Sequence, residues 1–161
     1  MDVAASLSAR LGELTFADLT ADAVTALLID AVAEWAGDHG WRVYRRAASV
    51  LPLPPPMDRQ HSVLDVAAAR PVGPPLAIEI DRTDRKRTVE KLLAEAAAGR
   101  IPVWVRWGTG KFSVPPEPIQ LVTVPVNRHP GGRFSRGPAL APPTHSELGS
   151  GGETVPLFPE D

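Results

Sequence analysis

Residues 76–107 constrain the fold more than any other part of the chain. The apolar run LAIEID (76–81) has strand length, and it is followed by DRKRTVEKLLAEAAAG (84–99), in which Val89, Leu92, Leu93, Ala96 and Ala97 recur at helical spacing. A second apolar run, IPVWVRW (101–107), comes next. Strand, helix and strand joined by short links predict a βαβ crossover, with both strands in one sheet and IPVWVRW buried on both faces. Asp84 is the expected N-cap of the helix and Gly99 its stop.

The remaining segments extend this unit. TADAVTALLIDAVAEWAGDHG places Val24, Leu27, Leu28, Ala31, Val32 and Trp35 on one helical stripe, with Thr20 as N-cap and Gly37 or Gly40 as the end. WRVYRRA (41–47) and HSVLDVAAA (61–69) alternate as strands, separated by LPLPPP (51–56), where consecutive prolines remove donors and fix φ. RPVGPP (70–75) predicts a turn, and IQLVTVPV (119–126), with its proline, an edge strand. In SLSARLGELTFADL a short helix would pack by Leu7, Leu11 and Leu14. The expectation is an α/β domain over residues 1–127 with an αβββαβ core around a mixed central sheet at about 21–126. The Pro- and Gly-rich residues 128–161 predict a disordered tail.

At 161 residues and 43% hydrophobic content the chain fits one domain with a real core. The absence of cysteine excludes disulfides, thiolate zinc sites and a cysteine nucleophile. No run approaches the roughly 20 apolar residues of a membrane span, and no leader pattern opens the chain, so a soluble cytoplasmic protein is expected. Net charge is −2 but unevenly spread. Residues 1–41 carry −6, residues 42–136 carry +8 and residues 137–161 carry −4. The basic middle either meets a polyanion or balances the acids of the other segments in three dimensions.

Glu79 and Asp81 stand two apart in LAIEID, so both carboxylates project from one face of a strand. Like charges close together near aliphatics need a cation. A metal ion would serve, and so would Arg82 or Arg85. Asp65, between Leu64 and Val66, is either a third acid of that group or a partner for Arg70. Glu34 flanks the stripe of its helix and either reaches inward or faces solvent.

An early helix with an acid, an Asp in the second strand and an acidic pair ending the third strand before a helix and a strand resemble the PD-(D/E)XK nuclease superfamily, which has the restriction-endonuclease-like fold. The resemblance implies Asp65 and Glu79 as metal-binding acids, joined by Asp81 or Glu34, and a hard oxygen site for Mg²⁺ or Mn²⁺. Where the superfamily has its lysine, two residues after the Glu, this chain has Asp81. Lys86, seven residues before Leu93 and thus on the sheet-facing side of its helix, is the expected replacement, whereas Lys91 is expected to be solvated. The chemistry implied is metal-assisted hydrolysis of DNA phosphodiesters, with Asp65, Glu79, Asp81 and Lys86 as the catalytic set. A homodimer would cut two strands. Arg82, Arg85 and Arg87 at the start of the helix would hold phosphate, and the basic middle of the chain, with Arg42, Arg45, Arg46, Arg59 and Arg106, would bind the phosphate backbone nonspecifically. Without the lysine, the same fold would also serve as a catalytically inactive binder of nucleic acid or of a protein partner.

Other features carry less. His39, His61, His129 and His145 lack metal-ligand spacing. Trp104 and Trp107 either stack on bases or pack in the core. GTGK (108–111) lacks the spacing of a phosphate loop and predicts a hairpin turn.

Overall fold

The computed structural model describes residues 1–137. Three helices, α1 (Val3–Gly12), α2 (Ala21–Asp38) and α3 (Lys86–Ala97), surround two sheets. The larger sheet has the strand order β2 (Arg42–Pro52), β3 (His61–Ala69), β4 (Leu76–Asp81), β5 (Ile101–Gly108) and β6 (Gln120–Pro125). β2, β3 and β4 are antiparallel neighbours, while β4–β5 and β5–β6 run parallel. The sheet is therefore mixed, and α3 crosses between the parallel β4 and β5 as the sequence predicts. β6 is an edge strand.

Alternation along β4 divides the molecule into two layers. Ile78 and Ile80 join Val103, Val105 and Trp107 in the core beneath α1 and α2, which contribute Leu7, Leu11, Val24, Leu28, Val32 and Trp35. Ala77 faces the other way, into a smaller cluster with Leu64, Leu92, Trp104 and Ile119 under α3. Glu79 and Asp81 share the parity of Ala77 and so point towards α3. Each fully buried Leu or Ile contributes about 1.5–3 kcal/mol, so the first layer dominates stability and leaves the second free to carry polar groups.

Several boundaries differ from expectation for identifiable reasons. Thr20 caps α2, its Oγ1 accepting from Ala23 N at 3.2 Å. Asp84 does not cap α3: the N-cap is Arg85, without a side-chain bond, and Asp84 is drawn away to Arg106. Gly99 takes φ +92° just past α3, the left-handed conformation that lets the chain turn into β5. β2 continues through Pro52, which an edge strand tolerates. GTGK is no hairpin turn, because β5 and β6 are parallel and the segment opens the connection between them. Residues 128–136, expected as the start of a tail, instead lie in β7 (Asn127–His129), β8 (Arg133–Arg136) and the turn between them. These pair with β1 (Phe16–Thr20) in a second sheet of order β1-β8-β7, and Phe134 meets Trp107 edge-on with ring centroids 5.1 Å apart. The rest of the expected tail lies outside the described residues. No helix among the described residues is long and apolar enough to cross a membrane.

Candidate functional site

Asp65 and Glu79 come together on adjacent antiparallel strands, on the face covered by α3. The Asp65 backbone N–H donates to Glu79 Oε2 at 2.9 Å, and the Ile80 N–H donates to Asp65 Oδ2 at 2.9 Å. Each carboxylate thus braces the other strand. Glu79 Oε1 receives the ammonium of Lys91 at 3.0 Å, and the same Nζ donates to the Val63 carbonyl at 2.7 Å. Lys91 is 11% exposed and Glu79 6%, so this ion pair is buried and screened little by salt.

Lys91, expected to be solvated, is the lysine at the acids. The helical face that meets the sheet carries Thr88, Leu92 and Glu95 as its buried residues, with Lys91 beside them. That stripe is polar except for Leu92, and it packs over the polar end of the sheet, whereas the apolar positions Val89 and Leu93 lie to one side and are half-buried. Lys86 sits exposed in the first turn and has no ion pair among the described residues.

Arg46 completes the cluster from β2. The register Arg45↔Val66 and Ala47↔Leu64 sets Arg46 opposite Asp65. Its φ of +52°, unusual for a residue with a side chain, marks local strain in the strand. Burial raises the Asp65 pKa, and the charge of Asp81 adds to this; the Ile80 N–H is the largest opposing influence, followed by Lys91 and Arg46. Glu79 is pushed up to about 7, by burial first and the Asp65 charge second, with Lys91 pulling the other way. The pair is therefore a carboxylate site held short of positive charge despite its two cations.

Asp81 does not join it. Its Oδ2 accepts from Thr88 Oγ1 at 2.8 Å and from Trp104 Nε1 at 2.9 Å, and Arg85 Nε lies 3.6 Å from Oδ1. These bonds tie α3 to β4 and β5. Glu34 is exposed on α2, which covers the opposite face of the sheet, so it is remote from Asp65 and Glu79. Among the arginines, Arg45 is paired with Asp30 at 2.6 Å, and Arg87 donates to the Pro52 carbonyl and to Ser62 Oγ. Arg46, Arg82 and Arg85 are exposed. Arg70 donates to the Pro74 carbonyl instead of meeting Asp65. Trp104 and Trp107 are buried, their indole N–H groups spent on Asp81 and Thr25, so neither offers a stacking face to solvent.

One buried acid was not anticipated. Glu95 on α3 is 2% exposed and accepts from Ser49 Oγ at 2.6 Å and from Val50 N at 2.7 Å, with Arg100 3.6 Å away. It fastens α3 to the edge strand β2. The sequence signal was its place one turn beyond Lys91 and two beyond Thr88, the polar stripe itself.

The donor set suits a hard cation. Asp65 Oδ1 carries no hydrogen bond among the described residues, and Glu79 supplies a second carboxylate, the one or two that Mg²⁺ usually takes while keeping waters or substrate phosphate oxygens. Among the described residues no group of three or more His, Asp or Glu side chains is placed to hold a metal ion, so the two carboxylates are the protein's whole contribution. Comparison with family models, curated proteins and solved structures finds no match to this chain.

Proposed function

We propose that this protein is a metal-dependent nuclease of restriction-endonuclease-like fold that hydrolyses phosphodiester bonds in DNA. The observation that carries the reading is the convergence of Asp65, Glu79 and Lys91 from β3, β4 and α3: two carboxylates on neighbouring strands with an ammonium on the second. Asp65 and Glu79 would hold Mg²⁺, or Mn²⁺ in its place. Bound there, the ion supplies Lewis-acid polarisation of the phosphoryl oxygen and lowers the pKa of an attacking water.

The chain's own groups do the rest. Lys91, in a dry site, donates to the negative charge that develops on phosphorus oxygens as water adds and the ester P–O bond breaks, with the leaving oxygen taking up a proton. It stands in for the lysine that Asp81 displaces. Arg46 and Arg85 hold flanking phosphates, and Asp81 positions α3, hence Lys91, through Thr88 and Trp104.

The test is cleavage of single-stranded, duplex and branched DNA with Mg²⁺, with Mn²⁺ and with EDTA, comparing wild type with Glu79→Gln, Lys91→Ala and Lys86→Ala. Metal-dependent cleavage lost in the first two variants and kept in the third is the expected result; no cleavage by wild type with either metal overturns it. A second reading, a nuclease-fold protein that binds nucleic acid without cutting it, is favoured by the engagement of Asp81 elsewhere, which leaves two acids at the site. Retained binding without cleavage would select it.

A further inference from the structure

At the C-terminal ends of β4 and β5 lies a pocket of about 110 Å³ ringed by the cations Arg82, Arg106, Lys111 and Arg128. Its volume is many times the roughly 10–15 Å³ that one water needs. Arg106 is 5% exposed. Its Nη1 donates to Asp84 Oδ1 and its Nη2 to the Arg82 carbonyl at 3.4 Å, but its buried Nε has no acceptor among the described residues. A guanidinium buried with a free N–H is an anion receptor lacking part of its anion.

Two of the four cations, Arg82 and Arg106, are held in place before any ligand arrives. The Arg106 guanidinium lies over Trp104 and Phe112, 5.0 and 5.8 Å from the ring centroids. Arg82 lies over Phe134 and Trp107, at 5.4 and 6.0 Å. Such contacts fix the planes of the two forks and exclude water from one side. Asp84 is the acid that contacts this group, and Arg82, Lys111 and Arg128 form no ion pair among the described residues. The local surplus is positive and close to a multiply charged anion.

We propose that this pocket binds a phosphomonoester group, carried at the end of a nucleic-acid strand. Two guanidinium forks match phosphate oxygens in geometry. The surplus of cations matches a phosphomonoester dianion better than the single charge of an internal diester. Position supplies the strand end as the source: Arg82 follows Asp81 directly, and Arg106 faces Asp81 across the β4–β5 register. The pocket therefore opens at the same end of the sheet as Asp65 and Glu79, beside the strand that carries Glu79. The inference rests on the reading of a nucleic-acid partner and not on cleavage.

The experiment measures binding of the full chain in EDTA, so that cleavage plays no part. Single-stranded oligonucleotides with a terminal phosphate and with a terminal hydroxyl are compared, with inorganic phosphate as competitor. The phosphorylated end should bind about tenfold tighter, inorganic phosphate should remove that advantage, and Arg82→Ala and Lys111→Ala, both at exposed positions, should abolish it. Arg10→Ala, a charge-matched change on α1, should leave it intact. Equal binding of both ends without competition by phosphate overturns the proposal. Saturable binding of phosphate, sensitive to Arg82→Ala but without discrimination between ends, upholds the phosphate chemistry and overturns the strand end as its source.

Discussion

Asp65 and Glu79 exchange backbone contacts: Glu79 Oε2 accepts the Asp65 N–H, and Asp65 Oδ2 accepts the N–H of Ile80, both at 2.9 Å. The exchange sets the two carboxylates face to face across β3 and β4. Both titrate above their usual range because each is buried, with the Asp65 charge adding to the shift of Glu79 and the Asp81 charge to that of Asp65.

Stability should therefore fall as pH rises through the range in which Glu79 loses its proton. Its pKa moves from 4.5 to about 7 on folding, so between these values the folded state binds more protons than the unfolded state. The contribution is fully present below the lower value and lost above the upper one. Its size is at most about 3 kcal/mol. Urea denaturation of wild type across this window should show the decline, and Glu79→Gln should flatten it; parallel curves for the two would remove Glu79 as its source.

Metal affinity should run the other way with pH. A cation binds the ionised carboxylates, so below about pH 7 it must displace the proton held by Glu79. Apparent Mg²⁺ affinity should climb with pH and level off above that value, with proton release detectable by titration calorimetry in two buffers of different ionisation enthalpy. Asp81→Asn should keep this behaviour, because the Asp81 carboxylate serves Thr88 and Trp104. Glu79→Gln should abolish it.

Lys91 and Lys86 can be separated by substitution. Lys91→Ala should lower DNA cleavage by about 100- to 1,000-fold, the usual cost of removing one donor from a developing charge. It should also push the Glu79 pKa higher, because Lys91 holds it down; an NMR titration of the metal-free protein reads this independently of activity. Lys86→Ala should leave both unchanged. A fall in cleavage with Lys86→Ala alone would return the role to the first turn of α3.

The strands that carry the acids were legible because their apolar alternation and bounding prolines are local signals, and β3 and β4 begin and end where the pattern says. The lysine was not. Reading α3 by its most apolar stripe, through Val89 and Leu93, turns Lys91 towards solvent and Lys86 towards the sheet. The structure rotates the helix so that Thr88, Lys91, Leu92 and Glu95 meet the sheet, since the end it covers carries Glu79, Asp81 and Ser49. A hydrophobic period cannot report a polar interface. Asp84 was misread for a related reason: Arg106, 22 residues later, outcompetes a local capping bond. The second sheet was hidden because β1, β7 and β8 have at most five residues each, and because the β1–β8 pairing joins the two ends of the described chain, which no local pattern encodes.

Glu95 gives the sharpest test of that polar interface. It is buried, and it is the acceptor for both the Ser49 hydroxyl and the Val50 N–H. Glu95→Ala would strand the buried Ser49 hydroxyl and the part-buried Val50 N–H and leave a void between α3 and β2, at a cost of about 3–5 kcal/mol. Glu95→Gln keeps an acceptor of similar shape and should cost about 1–2 kcal/mol. Urea denaturation gives both numbers, and hydrogen exchange at the Val50 amide should quicken far more in the alanine variant. Lys91 lies one turn away on the same face of α3, so the alanine variant should also loosen its pairing with Glu79 and reduce metal-dependent cleavage even where the protein stays folded. Full cleavage in a folded Glu95→Ala protein would show that Lys91 is positioned by Asp81 and Leu92 alone, and not by the anchor to β2.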